Sequence, residues 1–188
     1  MTIISIPTQL ERYLSYLDQD KNNVNLLLSI SECYRKDNNK ASAQDYLEQA
    51  LVAINTNPLC LKTGLLKAKL LHHLQRIDDA IACLQLLMVH DVNNAAVAGL
   101  LALLHFDTDN TEQAEYFAKE ALALDSSNYE GLLVTILLKN LHNEASLAEI
   151  ESLLTINSTD CRTWFALGSW QLHHMDFSAA KTAFSQAI

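Results

Sequence analysis

Apolar side chains recur along this chain in stripes spaced three and four residues apart, and short polar runs divide the stripes into pairs. Leu27, Ile30 and Tyr34 share one helical face. After a polar break at residues 36–40, Ala43, Leu47, Ala50 and Leu51 share the next. The same succession returns as Ala98, Leu101 and Ala102 followed by Ala114, Ala118 and Ala121. It returns again as Trp164, Leu167 and Gly168 followed by Ala180, Phe184 and Ala187. Two weaker copies lie between, one through Gly64, Ala68, Leu71, Ala80, Leu84 and Leu87, the other through Leu132, Ile136, Ser146, Ile150 and Leu153. The remaining breaks fall at residues 75–78, 107–110, 143–145 and 174–177. Asp109-x-x-Glu112 and Ser146-x-x-Glu149 have the spacing of capping boxes at the start of the helices that follow. Ahead of the first pair, Thr8-x-x-Glu11 opens a helix with Leu10, Tyr13, Leu14 and Leu17 on one face. The pattern predicts eleven helices and no strand.

The pairs begin near residues 24, 61, 95, 129 and 161, so successive steps are 37, 34, 34 and 32 residues. A period near 34 with an aromatic-Leu-Gly first helix and an Ala-Phe-Ala second helix resembles the tetratricopeptide repeat. The resemblance covers residues 24–188, and it implies an all-α, right-handed superhelical solenoid of stacked antiparallel helix pairs. Residues 1–23 then form an N-terminal capping helix, and 24–188 five repeats, the last incomplete at its C-terminal end. Departures from the pattern are local: Gly64 and Lys67 occupy slots that are usually apolar, and the fourth copy is about two residues short.

In such arrays the first helices line a concave groove. The resemblance therefore assigns a protein-binding surface to Arg35 and Lys36 in the first copy and Lys62, Leu65, Leu66 and Lys69 in the second. It adds Leu100, Leu103 and Phe106 in the third, Leu133, Val134 and Leu137 in the fourth, and Phe165 in the fifth. Asp107, Asn140, Leu141 and Arg162 are further off-core positions of the same helices. The first helices of the third and fourth copies are apolar almost all round. They either floor a hydrophobic groove or are enclosed by neighbouring helices. Leu28 and Glu32 stand where the carboxylate clamp of chaperone-binding members needs lysine and asparagine, which disfavours that function.

Composition narrows the reading further. A 188-residue chain that is 49% hydrophobic and 19% charged can build a core, and four glycines and two prolines are few for a β-rich fold. The net charge of −9 disfavours nucleic acid and anionic membrane as partners. The longest uncharged stretch, residues 92–106, is too short to span a bilayer, and the first residues do not resemble a secretory signal. A cytoplasmic location follows. Cys33, Cys60, Cys83 and Cys161 lie far apart with no metal-binding spacing, which predicts reduced and mostly buried thiols.

Candidate chemistry is sparse. His72-His73 and His173-His174 are adjacent, and neighbours on a helix point about 100° apart, unlike metal ligands at i and i+4. Asp78-Asp79 suits the positive end of a helix dipole. Trp164, Phe165 and Trp170 fall within one helix and are expected mostly in the core, with a ligand-facing Phe165 as the alternative. No metal, cofactor or catalytic residue is expected. The expected function is a non-catalytic scaffold that binds a peptide or helical segment in its concave groove, apolar in the middle and acidic toward one end. The alternative is a substrate-recruiting arm of an enzyme whose catalytic domain lies beyond residue 188. The uncapped C-terminal end, with Phe184 and Ile188 on one face, is expected either to continue into further chain or to pair with a second copy.

Overall fold

The computed structural model describes residues 8–58, 60–90 and 93–187. Among these, eleven α-helices and no strand are present: α1 (Gln9–Leu17), α2 (Val24–Lys36), α3 (Lys40–Asn55), α4 (Leu61–His73), α5 (Ile77–His90), α6 (Ala95–Asp107), α7 (Thr111–Leu124), α8 (Tyr129–Leu141), α9 (Leu147–Ile156), α10 (Cys161–His173) and α11 (Phe177–Gln186). Helices α2, α4, α6, α8 and α10 begin at residues 24, 61, 95, 129 and 161, where the repeating stripes begin in the sequence. None of the described helices is long and apolar enough to cross a membrane.

One backbone device joins the two helices of every pair. Asn38, Gln75, Asp109, Asn143 and Met175 each adopt a left-handed conformation, with φ between 57° and 61°. The following N–H groups, those of Asn39, Arg76, Asn110, Glu144 and Asp176, donate five residues back to Tyr34, Leu71, His105, Lys139 and Gln171, at 2.8–2.9 Å. This is the Schellman closure of a helix C-terminus, which satisfies carbonyls that the helix leaves unpaired.

The caps follow the sequence at two places and depart from it at a third. Thr8 with Glu11 and Ser146 with Glu149 form reciprocal capping boxes on α1 and α9. Asp109 does not cap α7. It occupies the left-handed turn position, and Asn110 caps the helix by accepting from Gln113 N–H.

The described chain divides into two compact units, Met1–Leu87 and Met88–Ile188. In the first, α1 packs on α2 with Leu10, Tyr13, Leu14 and Leu17 half-buried and the rest of its surface exposed. The core of this unit gathers Leu27, Ile30, Leu51, Ile54, Leu70, Leu71, Leu84 and Leu87. Gly64 lets α5 approach α4 closely, because a Cβ there would stand 2.7 Å from the Leu87 methyls.

In the second unit α8 is central. It packs on α6, α7, α9 and α10, and Leu133, Val134, Ile136 and Leu137 join Leu103, Ala114, Ala118, Ile150, Leu153, Ala166 and Leu167 in one core. All eight residues from Val97 to Leu104 on α6 are buried. Trp170 packs against this core and donates its indole N–H to the Ala145 carbonyl at 3.0 Å. Tyr129 at the start of α8 and Thr163 on α10 place their hydroxyls 3.2 Å apart, and burial pushes the Tyr129 phenol pKa well up. Phe184, expected on an open end face, is half-buried against Gly168 and the Phe165 ring, while Ile188 lies outside the described residues.

The expectation of mostly buried thiols needs correction. Cys83 is buried and Cys33 half-buried, but Cys60 and Cys161 are exposed. Cys60 is the cap residue just before α4, and Cys161 is the first residue of α10.

Candidate functional site

The apolar residues assigned to the groove from sequence separate into two groups. Leu133 and Val134 are fully buried, and Leu100 and Leu103 nearly so, at 5% and 6% exposure. These four are core and not groove floor. A helix that is apolar all round is stable in water only when neighbours enclose it; α6 is enclosed in this way from Val97 to Leu104, and α8 at Leu133, Val134, Ile136 and Leu137.

Phe106, Leu137 and Phe165 do come together. They line a cavity of about 340 Å³ in the second unit, with Leu141, Asn140, Asp107, Arg162, Cys161 and Ala187. The C-terminal ends of α6 and α8 supply Phe106, Leu137 and Leu141, and the first turns of α10 supply Cys161, Arg162 and Phe165. Leu137, only 7% exposed, forms part of the floor, whereas Phe165 at 58% and Leu141 at 62% stand open to solvent. Phe165 is held from below by Phe184, with ring centroids 5.5 Å apart. Arg162 reaches from α10 toward Asp107 on α6 at 3.9 Å, so the charges in the wall oppose one another. Cys161 and Ala187 were not foreseen. Cys161 is the first residue of its helix, and Ala187 comes from the end of a second helix, outside the positions that first helices contribute.

The basic positions lie in the first unit. Arg35, Lys36, Lys62 and Lys69 are exposed on α2 and α4, and Leu65 and Leu66 are half-buried. Arg35 borders a recess of only about 30 Å³, with Leu28, Glu32, Leu47 and His73. That volume barely exceeds one water molecule.

Among the described residues no group of three or more His, Cys, Asp or Glu side chains is placed to hold a metal ion. What the second-unit cavity offers is apolar contact: a bulky aliphatic or aromatic side chain entering it would cover Phe165 and Leu141 while the Arg162–Asp107 pair stays at the wall.

No family model and no curated protein matches the chain. Solved structures do. The chain is similar to a chain of the APC/C hetero-tetramer Cut9–Hcn1, with 12% identity and a TM-score of 0.57, over 95% of this chain and 35% of that one. It is similar to MamA, residue 41 to the end, from Desulfovibrio magneticus RS-1, with 12% identity and a TM-score of 0.50, over 87% of this chain and 92% of that one. YrrB, a TPR protein with an unusual peptide-binding site, shares 10% identity at a TM-score of 0.47, over 95% and 92% of the two chains. Likeness at such identities bears on fold alone. Taken with five helix pairs closed by the same turn at steps of 37, 34, 34 and 32 residues, it means that the chain has the tetratricopeptide-repeat fold.

Proposed function

We propose that this protein is an interaction module that takes a bulky apolar side chain of a peptide or helical segment into the cavity formed by Phe106, Leu137, Leu141 and Phe165. The observation that carries the reading is the exposure of Phe165. A phenylalanine that is 58% exposed, supported from below by another ring and set on an apolar cavity, gains free energy when a partner covers it. Neither catalysis nor a cofactor enters the reading.

The test is selection of peptides from a displayed random library on the immobilised full chain, followed by binding measurements on variants. Peptides sharing an aromatic or large aliphatic residue should emerge, and Phe165→Glu and Leu141→Glu should abolish their binding while circular dichroism stays unchanged. Selected peptides that bind both variants as well as the parent would sink the proposal.

A further inference from the structure

The fourth helix pair differs from the others in length. Five residues, 142–146, separate α8 from α9, where three separate α6 from α7 and three separate α10 from α11. Helix α9 has 10 residues, as α11 does, against 14 in α7. A cleft of about 640 Å³ opens here, between the first turns of α7, with Thr111, Glu112 and Glu115, and Glu144 in the lengthened turn. That volume is within the range of sites that hold small ligands or peptide side chains. Half-buried Leu122 and Leu138 also line it. On α8, the cleft residues Thr135, Leu138 and Lys139 lie roughly 150° around the helix from Leu137, Asn140 and Leu141 of the apolar cavity, and His142 follows at its C-cap. The two sites therefore sit on opposite faces of one helix.

The charges of the cleft are unevenly compensated. Lys119 is paired with Glu115 at 2.6 Å, and Lys139 is tied to Glu149 at 2.6 Å. Glu112 and Glu144 have no counter-ion among the described residues. Both lysines are already neutralised, so an acidic ligand gains little. A cationic side chain entering the cleft meets carboxylates that no described side chain neutralises, in a wall that also offers the apolar Leu122 and Leu138.

We infer that this cleft is a second binding site, for a basic amphipathic segment of a partner protein, with an apolar side chain on Leu122 and Leu138 and an adjacent arginine or lysine at Glu112 and Glu144. The inference goes beyond the proposed function, since it uses a different face of α8 and adds a basic side chain to what the partner must carry. A chain that binds on both faces of α8 can hold two segments at once.

The experiment is fluorescence anisotropy on the full chain with a labelled synthetic peptide of leucine, arginine and alanine. Two control peptides accompany it, one with every leucine replaced by serine and one with every arginine replaced by glutamate. The parent peptide should bind and both controls should fail. Glu112→Lys with Glu144→Lys should weaken binding by about tenfold or more. Asp45→Lys with Glu48→Lys, which changes net charge equally at exposed positions of α3, should weaken it by less than about twofold. An equal loss in the two double variants would reduce the effect to bulk attraction by an acidic protein. Equal binding of the serine peptide would remove the apolar floor from the account, and absence of binding by the parent peptide would remove the site. If Phe165→Ala abolishes binding, the peptide occupies the other cavity and the inference fails while the proposed function gains.

Discussion

The carboxamide of Asn128 rests on the backbone of Gly99, at a point where α6 has no room for a Cβ. From there its nitrogen donates to the Ala95 carbonyl at 3.2 Å, and its oxygen accepts from Gly131 N–H at 2.9 Å as the cap of α8. One buried side chain thus closes the start of a helix and fastens it to the preceding pair. Gly99→Ala should cost about 1–3 kcal/mol, because the added methyl displaces the carboxamide from both bonds. Asn128→Ala should cost about 1–2 kcal/mol through the lost cap and the unpaired Gly131 N–H. Urea denaturation checks both, and a stabilising Gly99→Ala would contradict the contact.

Residues at one repeat position should respond oppositely to the same substitution. Leu133 and Phe165 are each the fifth residue of a first helix, yet Leu133 is fully buried and Phe165 is 58% exposed. Leu133→Glu would bury an unpaired carboxylate, and the second unit should fail to fold or lose about 4 kcal/mol or more. Phe165→Glu should change stability by about 1 kcal/mol or less. Thermal melts distinguish the two without any partner.

The left-handed turns leave room for stabilisation. Gln75 and Met175 hold φ of 60° and 61°, which side chains of this kind adopt at some cost, and both are exposed. Met175→Gly and Gln75→Gly should each stabilise the protein by about 0.5–1 kcal/mol, read as a raised denaturation midpoint. Glycine in place of a residue within an adjoining helix should do the reverse.

Acid should weaken the joint between α8 and α9. The hydrogen bond from Lys139, and then those from Ser146, hold the Glu149 carboxyl down at about 2, below the ordinary 4.5. A carboxyl depressed by folding stabilises fully above its unfolded value and loses that contribution as pH falls through the folded one. The Tm gap between the parent and Glu149→Gln should be present at pH 6 and close between pH 4.5 and about 2. Because the side chain is 37% exposed, the gap should be modest, about 1–3 °C. A gap that stays constant over this range would exclude the carboxylate as its source.

Helix starts were legible in the sequence because apolar period and polar breaks coincide there, as at Ala95 and Tyr129. Which of two neighbouring Asx residues caps α7 was not legible. Asp109 and Asn110 are both competent, and the left-handed turn settles it by claiming Asp109. Repeat position named the off-core candidates, but how deeply each is buried was not legible in it. Leu133 and Phe165 occupy equivalent places, and α10 packs on α8, whereas Phe165 meets the Phe184 ring at a tilt and stays open to solvent. The second cleft takes His142 and Glu144 from a turn with two extra residues. In the sequence this registered only as a copy about two residues short.

The two exposed thiols have a practical consequence for anyone handling the protein. The Cys60 thiol pKa is pulled down by a hydrogen bond from the Thr63 hydroxyl at 3.3 Å, so alkylating reagents should meet it first, with Cys83 protected inside the unit. With Cys60→Ser in place, Cys161 becomes the preferred remaining target, directly at the mouth of the apolar cavity. A fluorophore attached there would lie beside Phe165 and change its emission when a ligand arrives, making the chain its own sensor.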